Sequence, residues 1–158
     1  MRIVDLIQRE MIVSNLSSTD RNGVIRELAT HLAGAYEEIE FERLVKVLRD
    51  REDLASTAIG QGVAIPHGKL AEITEIRACI GRAPDGVEFD SMDGKPTHIF
   101  IVMVAPENSS GSHLKALARI SRVFKGPEIL QHLLEARDAD EIFDVLIRRD
   151  SETSSQRK

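Results

Sequence analysis

Residues 99–104, Ile-Phe-Ile-Val-Met-Val, run six positions without a polar side chain. Their β-branched and aromatic content predicts a strand, and a strand with no polar face must be covered on both sides. Such a strand sits at the centre of a sheet between two layers of helix. The rest of the chain offers material for both layers. Val24, Ile25, Leu28, Ala29 and Leu32 recur at helical spacing and end at Gly34, while Phe41, Leu44, Val45 and Leu48 repeat the pattern up to Arg51. The period then changes. Residues 63–65 and 76–80 are short apolar runs that read as further strands, and a first strand is expected around residues 11–13.

Three more helices are expected after the central run. The first carries Leu114, Leu117, Ala118 and Phe124, and the second opens at Pro127, a favoured first helical position. The third has Asp138 three residues before Glu141, with Ile142, Phe143, Leu146 and Ile147 behind them. Helices first, strands in the middle and helices last predict an α/β fold, a single three-layer α/β/α domain with a central mixed β-sheet flanked by helices. That domain is expected to occupy residues 1–150, and residues 151–158 read as a polar, disordered tail.

Charge and composition exclude several functions. The formal net charge of −5 leaves no basic stripe for a nucleic acid. Asp5 and Glu10 interrupt any apolar leader, and no run reaches the roughly 18 apolar residues of a membrane span, so a cytoplasmic protein without membrane insertion is expected. The single cysteine, Cys79, reads as a small buried strand residue. Gly62 stands too far from Gly68-Lys69 for a P-loop, and Leu70 replaces its hydroxyl. No Gly-x-Ser-x-Gly elbow and no paired metal-ligand spacing occurs, so neither a cofactor nor a metal is expected.

One histidine stands apart. His67 lies between Pro66 and Gly68 directly after the apolar 63–65 run, so a rigid backbone presents its imidazole at a strand end with room beside it. His113 follows Ser109-Ser110-Gly111-Ser112 and is expected to begin a helix, where free amides and the helix dipole favour an anion. His31 and His132 read as partly exposed helix residues, and His98 as a structural histidine opening the central strand. The cluster Arg49-Asp50-Arg51-Glu52-Asp53 reads by default as a solvated charge run.

Taken together, Arg51-Glu52, Ser56-Thr57-Ala58-Ile59-Gly60 and the run from Gly62 to Leu70 around Ile65-Pro66-His67-Gly68 resemble a known signature. It is the phosphorylation-site signature of the fructose/mannitol class (type-2) of enzyme IIA, from the bacterial phosphoenolpyruvate-dependent phosphotransferase system. Asp93-Gly94-Lys95-Pro96-Thr97-His98, Val104-Ala105-Pro106 and His113-Leu114-Lys115-Ala116-Leu117 extend the resemblance over nearly the whole chain. Gly68-Lys69-Leu70 makes it most similar to the nitrogen-regulatory branch.

The resemblance implies a phosphohistidine intermediate and protein-to-protein transfer. His67 would accept the phosphoryl group on Nε2 from a histidine-containing phosphocarrier protein, Arg51 would pair with the phosphoryl oxygens, and His113 would hydrogen-bond the group or orient His67. Ser56 and Thr57 would add contacts, and Val63, Ile65, Leu114 and Leu117 would form an apolar docking rim. Downstream, it implies a phosphorylation-dependent regulator acting on target proteins. Two alternatives stay open: a sugar-specific enzyme IIA feeding an enzyme IIB, and a binding-only regulatory module. Ala58 departs from the family's usual glycine and is expected to alter the loop slightly.

Overall fold

The structure is a computed structural model, and it describes residues 2–155. A one-turn helix α1 (Ile3–Leu6) and a 3-10 turn (Arg9–Met11) lead into β1 (Ile12–Val13), then α2 (Arg21–Ala35) and α3 (Phe41–Leu54). Four strands follow closely: β2 (Ala58–Gly60), β3 (Val63–Ala64), β4 (His67–Leu70) and β5 (Arg77–Val87). Then come β6 (Thr97–Pro106), α4 (Ser110–Val123), α5 (Pro127–Glu135) and α6 (Ala139–Ser155). The expected α/β/α domain is what forms.

The sheet runs β1-β5-β6-β3-β2, with β4 also paired to β6. It is mixed: β5 is antiparallel to β6, while β1 is parallel to β5 and both β3 and β4 are parallel to β6. The apolar 99–104 run occupies the middle of β6 and is fully buried, as its lack of a polar face requires. Strand alternation assigns the two helical layers. Cys79 hydrogen-bonds its thiol to the Leu28 carbonyl of α2 (3.7 Å), and Gly81 lies against Leu28. Arg82, one residue on, sends its guanidinium to the Leu133 and Ala136 carbonyls at the end of α5 (2.9 and 2.5 Å). Thus α2 and α3 cover one face and α4 to α6 the other.

The caps match local chemistry. The Asp20 carboxylate accepts from the Gly23 amide (2.7 Å) to start α2, and Glu40 accepts from Glu42 and Arg43 to start α3. Asp138 accepts from the Glu141 amide (2.9 Å) at the head of α6. That last helix does not stop at residue 150. It continues to Ser155 with Thr153 buried, its hydroxyl bonded to the Asp150 carbonyl, so residues 151–155 are helix rather than the expected tail. Residues 156–158 of that tail lie outside the described residues.

Two further expectations need correction. Strand β5 does not end at residue 80. It runs through Gly81, Pro84 and Gly86 to Val87, with its register to β6 shifting between Arg82 and Val87 to absorb the breakers. Ala58 does not strain its loop. The residues with positive φ nearby are Gly60, Gln61 and Gly62 (86°, 57° and 80°), and Ala58 is an ordinary strand residue.

Strands β3 and β4 lie end to end beside β6: Val63 faces Ile99, Ala64 faces Phe100, and the pairing resumes with His67 opposite Met103. Ile65 and Pro66 interrupt the ladder, because proline has no amide hydrogen to donate. His67 is the first residue after the break. Gly68 then points the other way, toward α3. A Cβ added there would stand 2.3 Å from Val47 Cγ1. Valine in a helix has one strongly preferred rotamer, so the methyl cannot swing aside cheaply. Gly68→Ala is expected to destabilise the fold by about 1–3 kcal/mol through overpacking, read as a lowered urea midpoint with unchanged slope. An unchanged midpoint would show that α3 yields more easily than this packing implies.

Candidate functional site

The break between β3 and β4 is where the sequence reading placed its histidine. His67 is half-buried, and its Nδ1 lies 2.7 Å from the Ile65 carbonyl oxygen. A carbonyl only accepts, so Nδ1 carries the proton in the neutral ring and Nε2 keeps its lone pair. The Ile65 carbonyl belongs to the amide shared with Pro66, an electron-rich tertiary amide and a good acceptor.

His113 comes from the opposite layer. Its ring centroid lies 5.5 Å from that of His67, at 67° between planes, an edge-on approach. It does not begin its helix as expected. Helix α4 starts at Ser110, and the His113 amide already donates to the Ser109 carbonyl (2.8 Å). What His113 brings is therefore its imidazole, which is 6% exposed. Lys69, on the same face of β4 as His67, donates from Nζ to Ser110 Oγ (3.1 Å) at the start of α4.

Arg51 sits in the last turn of α3 and is half-buried. Its one hydrogen bond among the described residues runs from Nη1 to the Ala55 carbonyl (2.9 Å). Its remaining N–H groups can serve an anion, and its charge is felt at the His67 ring. His67 and His113 thus lie ring to ring, with Arg51 near enough for its charge to lower the His67 pKa, and β4, α4 and α3 bring them from three parts of the chain.

Other expectations for this region fail. The Ser56 hydroxyl donates to the Phe89 carbonyl (2.6 Å), and the Thr57 hydroxyl donates to a Glu52 carboxylate oxygen. Each hydroxyl has a single proton, so neither has one left for a phosphoryl oxygen. Val63, in a strand inside the sheet, and Ile65, just beyond its end, are both buried in the core rather than rim. Leu117 is half-buried against the core. Leu114 does form an exposed rim beside His113, at 67% exposure. Leu54, one turn beyond Arg51 and 83% exposed, was not foreseen.

The other histidines have the expected modest places. His98 faces the Ala83 carbonyl through Nδ1 (3.0 Å), His31 reaches the Glu10 carbonyl, and His132 is exposed on α5. Cys79 is fully buried, and burial pushes its thiol pKa up, so it is no nucleophile. Among the described residues no helix is long and apolar enough to cross a membrane.

Burial is the largest influence on the basicity of His67 and lowers its pKa. The bond to Ile65 opposes this, Arg51 lowers the pKa further, and Glu52 raises it. His113 is lowered by burial first, then by His67 and Lys69. Both rings are therefore held neutral at neutral pH. The sign for stability follows from proton counting. Between the depressed folded value and the ordinary 6.5, the unfolded chain binds more protons, so stability rises with pH in that window. Acidification from pH 7 through the folded values is expected to lower the urea midpoint, and His67→Gln should flatten that loss. An equally steep loss in the variant would mean that His67 contributes none of it.

A family model described as "Phosphoenolpyruvate-dependent sugar phosphotransferase system, EIIA 2" matches residues 5–149. The chain belongs to this enzyme IIA family. This enzyme IIA is 40% identical over 149 residues to a nitrogen regulatory protein of Bradyrhizobium diazoefficiens, covering 92% of this chain and 95% of the relative. It is 35% identical over 150 residues to the fructose-specific EIIABC component of Bacillus subtilis, covering 95% of this chain but only 24% of that longer protein. Among solved structures, the nitrogen regulatory protein IIA-Ntr from Neisseria meningitidis matches with a TM-score of 0.84 at 29% identity, over 91% of this chain and 98% of the other. IIA mannitol from Escherichia coli shares the fold, with a TM-score of 0.74. The chain is thus an enzyme IIA of the fructose/mannitol class, related to the nitrogen-regulatory proteins.

Proposed function

We propose that this enzyme IIA receives a phosphoryl group on Nε2 of His67 from the phosphohistidine of a small histidine-containing phosphocarrier, and that its phosphorylation state regulates partner proteins. The observation that carries this reading is the 2.7 Å contact between His67 Nδ1 and the Ile65 carbonyl. It assigns the ring proton to Nδ1 and leaves Nε2 as the free nucleophile, with a second imidazole 5.5 Å away.

In this mechanism the Nε2 lone pair attacks phosphorus in line with the donor nitrogen. The new N–P bond forms as the old one breaks, and the electron pair of the old bond stays on the donor imidazole. The Nδ1 proton remains against the Ile65 carbonyl. Phosphoryl transfer needs positioning and charge compensation more than covalent help. Arg51 supplies a permanent positive charge with a donor fork suited to phosphoryl oxygens. His113 supplies a buried ring whose N–H stabilises the same oxygens. Leu54 and Leu114 flank the site as apolar surface against which a carrier docks and excludes water.

Regulation follows from the same geometry. A phosphoryl group brings about −1.5 to −2 charges to the centre of that apolar surface, so a partner that docks on the unmodified face is repelled. The nearly full mutual coverage with a nitrogen regulatory protein supports this branch. A second reading, transfer onward to an enzyme IIB for a fructose- or mannitol-type sugar, draws support from the fructose-specific relative.

The test is a reconstituted relay: phosphoenolpyruvate, general phosphocarriers and this protein, with candidate IIB domains added afterwards. The expected product is an acid-labile, base-stable phosphoryl group mapped to Nε2 of His67 that is not drained by the IIB domains. Rapid drainage would favour the sugar-uptake reading. Labelling elsewhere would reject the site.

A further inference from the structure

We infer that Glu52 is a positioning residue for the acceptor, acting through Thr57 and Ile65 to hold the His67 imidazole in the tautomer that leaves Nε2 free. The inference rests on the reading of His67 as acceptor given above. Glu52 is the exception in its own charge run: Arg49, Asp50 and Asp53 are exposed, whereas Glu52 is only 3% exposed. A carboxylate so placed is costly unless its oxygens are satisfied. Both are, by one residue. The Thr57 amide donates to Oε2 (2.8 Å) and the Thr57 hydroxyl donates to Oε1.

From Thr57 the contacts lead directly to the ring. The Thr57 carbonyl accepts from the Ile65 amide (3.1 Å), and the Ile65 carbonyl accepts from His67 Nδ1 (2.7 Å). Residues 65 and 66 are the gap between β3 and β4: the Pro66 carbonyl still accepts from the Met103 amide of β6 (2.9 Å), but Ile65 itself has no ladder partner on β6 among the described residues. The clamp from Glu52 adds to that single bond a constraint on Ile65 itself. Arg51 ties the same loop from the adjacent helical position through the Ala55 carbonyl. One helix end therefore holds both the guanidinium assigned to the anion and the carboxylate that sets the acceptor's geometry.

The carboxylate also acts by charge. Arg51 and Glu52 from α3 oppose each other at the His67 ring, and the His113 ring from α4 lies 5.5 Å from it, itself influenced by Lys69 of β4. Removing the negative charge leaves Arg51 unopposed and makes His67 harder to protonate.

The test combines Glu52→Gln, Glu52→Ala and Thr57→Val, with Thr57→Ser as the conservative control. Nitrogen-detected NMR of His67 reads tautomer and titration, and rapid-quench labelling reads transfer. Wild type and Thr57→Ser should hold the proton on Nδ1. Glu52→Ala and Thr57→Val should give mixed tautomers and slower acceptance, by at least about tenfold for Glu52→Ala, the scale of a misplaced reacting group. Glu52→Gln can still accept from the Thr57 amide and can donate its own amide N–H to the Thr57 hydroxyl, keeping the hydroxyl contact that Thr57→Val loses, so it should keep the tautomer but titrate His67 at lower pH. Where Glu52→Ala does not fold, Glu52→Gln and Thr57→Val decide.

The inference is overturned if the folded variants keep the wild-type tautomer, titration and rate. A wild-type protein that is labelled, but not on His67, would instead reject the acceptor reading, and the NMR result on Glu52 would stand apart from that failure.

Discussion

His67→Ala should take up no phosphoryl group in a reconstituted relay that fully labels the wild-type protein. The loss should be complete rather than partial, because the substitution removes the bond-forming atom and not a contact to it. Arg51 and His113 remain, and so does the apolar surface at Leu54 and Leu114, so the variant should still bind the carrier. His67→Gln serves as a second variant of closer volume. Both should fold normally, since the ring is only half-buried and its strand pairing uses backbone atoms. Label appearing on His113 in either variant would show that the second imidazole is itself competent, and the division of roles argued above would fail.

Asp150→Ala should give the largest loss of stability among single substitutions distant from the site. The Asp150 carboxylate pairs with the Arg119 guanidinium, and the two side chains are 8% and 6% exposed. It also accepts from the Ile3 amide (2.8 Å), and the Asp150 carbonyl accepts from Arg119 (2.8 Å). Asp150 therefore joins α1, α4 and α6 at one buried point. Removing one partner of a buried pair leaves the other's charge poorly compensated, which costs about 3–5 kcal/mol. Urea unfolding at neutral pH measures it, and protein that still folds should accept the phosphoryl group on His67 at the wild-type rate. A loss below about 1 kcal/mol, the scale of an exposed pair, would mean that water reaches the site after the change.

These two substitutions differ in how visible their residues were beforehand. His67 was conspicuous because proline and glycine flank it after an apolar run. Asp150 sits in Arg148-Arg149-Asp150, which looks like any exposed helix face. Glu52 was hidden in the same manner, inside a charge run whose other acids are exposed. Helical phase places Glu52 on the buried side with Leu44, Val45 and Leu48, a signal that could have been found four residues beyond Leu48. Strand β4 was hidden for a different reason, whereas the short β1 and β3 were expected from their apolar runs. His67-Gly68-Lys69-Leu70 has neither β-branched residues nor an apolar face, and β4 exists because its backbone pairs with β6 more than thirty residues away.

Local pattern alone was enough to specify the five longer helices, the buried central strand, the layered architecture and the histidine at the strand break, because apolar periodicity and turn chemistry act over a few residues; the one-turn α1 and the last turn of α6 were not read from it. The family signature was equally legible, being a matter of residue types at fixed spacing. Only the folded chain decided which charges are buried, which proton His67 carries and which of Ser56, Thr57, Val63 and Ile65 are committed to scaffold or core. Those outcomes depend on which acceptor or methyl group arrives from a distant segment, and a hydrogen bond between residues 52 and 57, or a ring contact between residues 67 and 113, exists only once the sheet and both helical layers have closed around it.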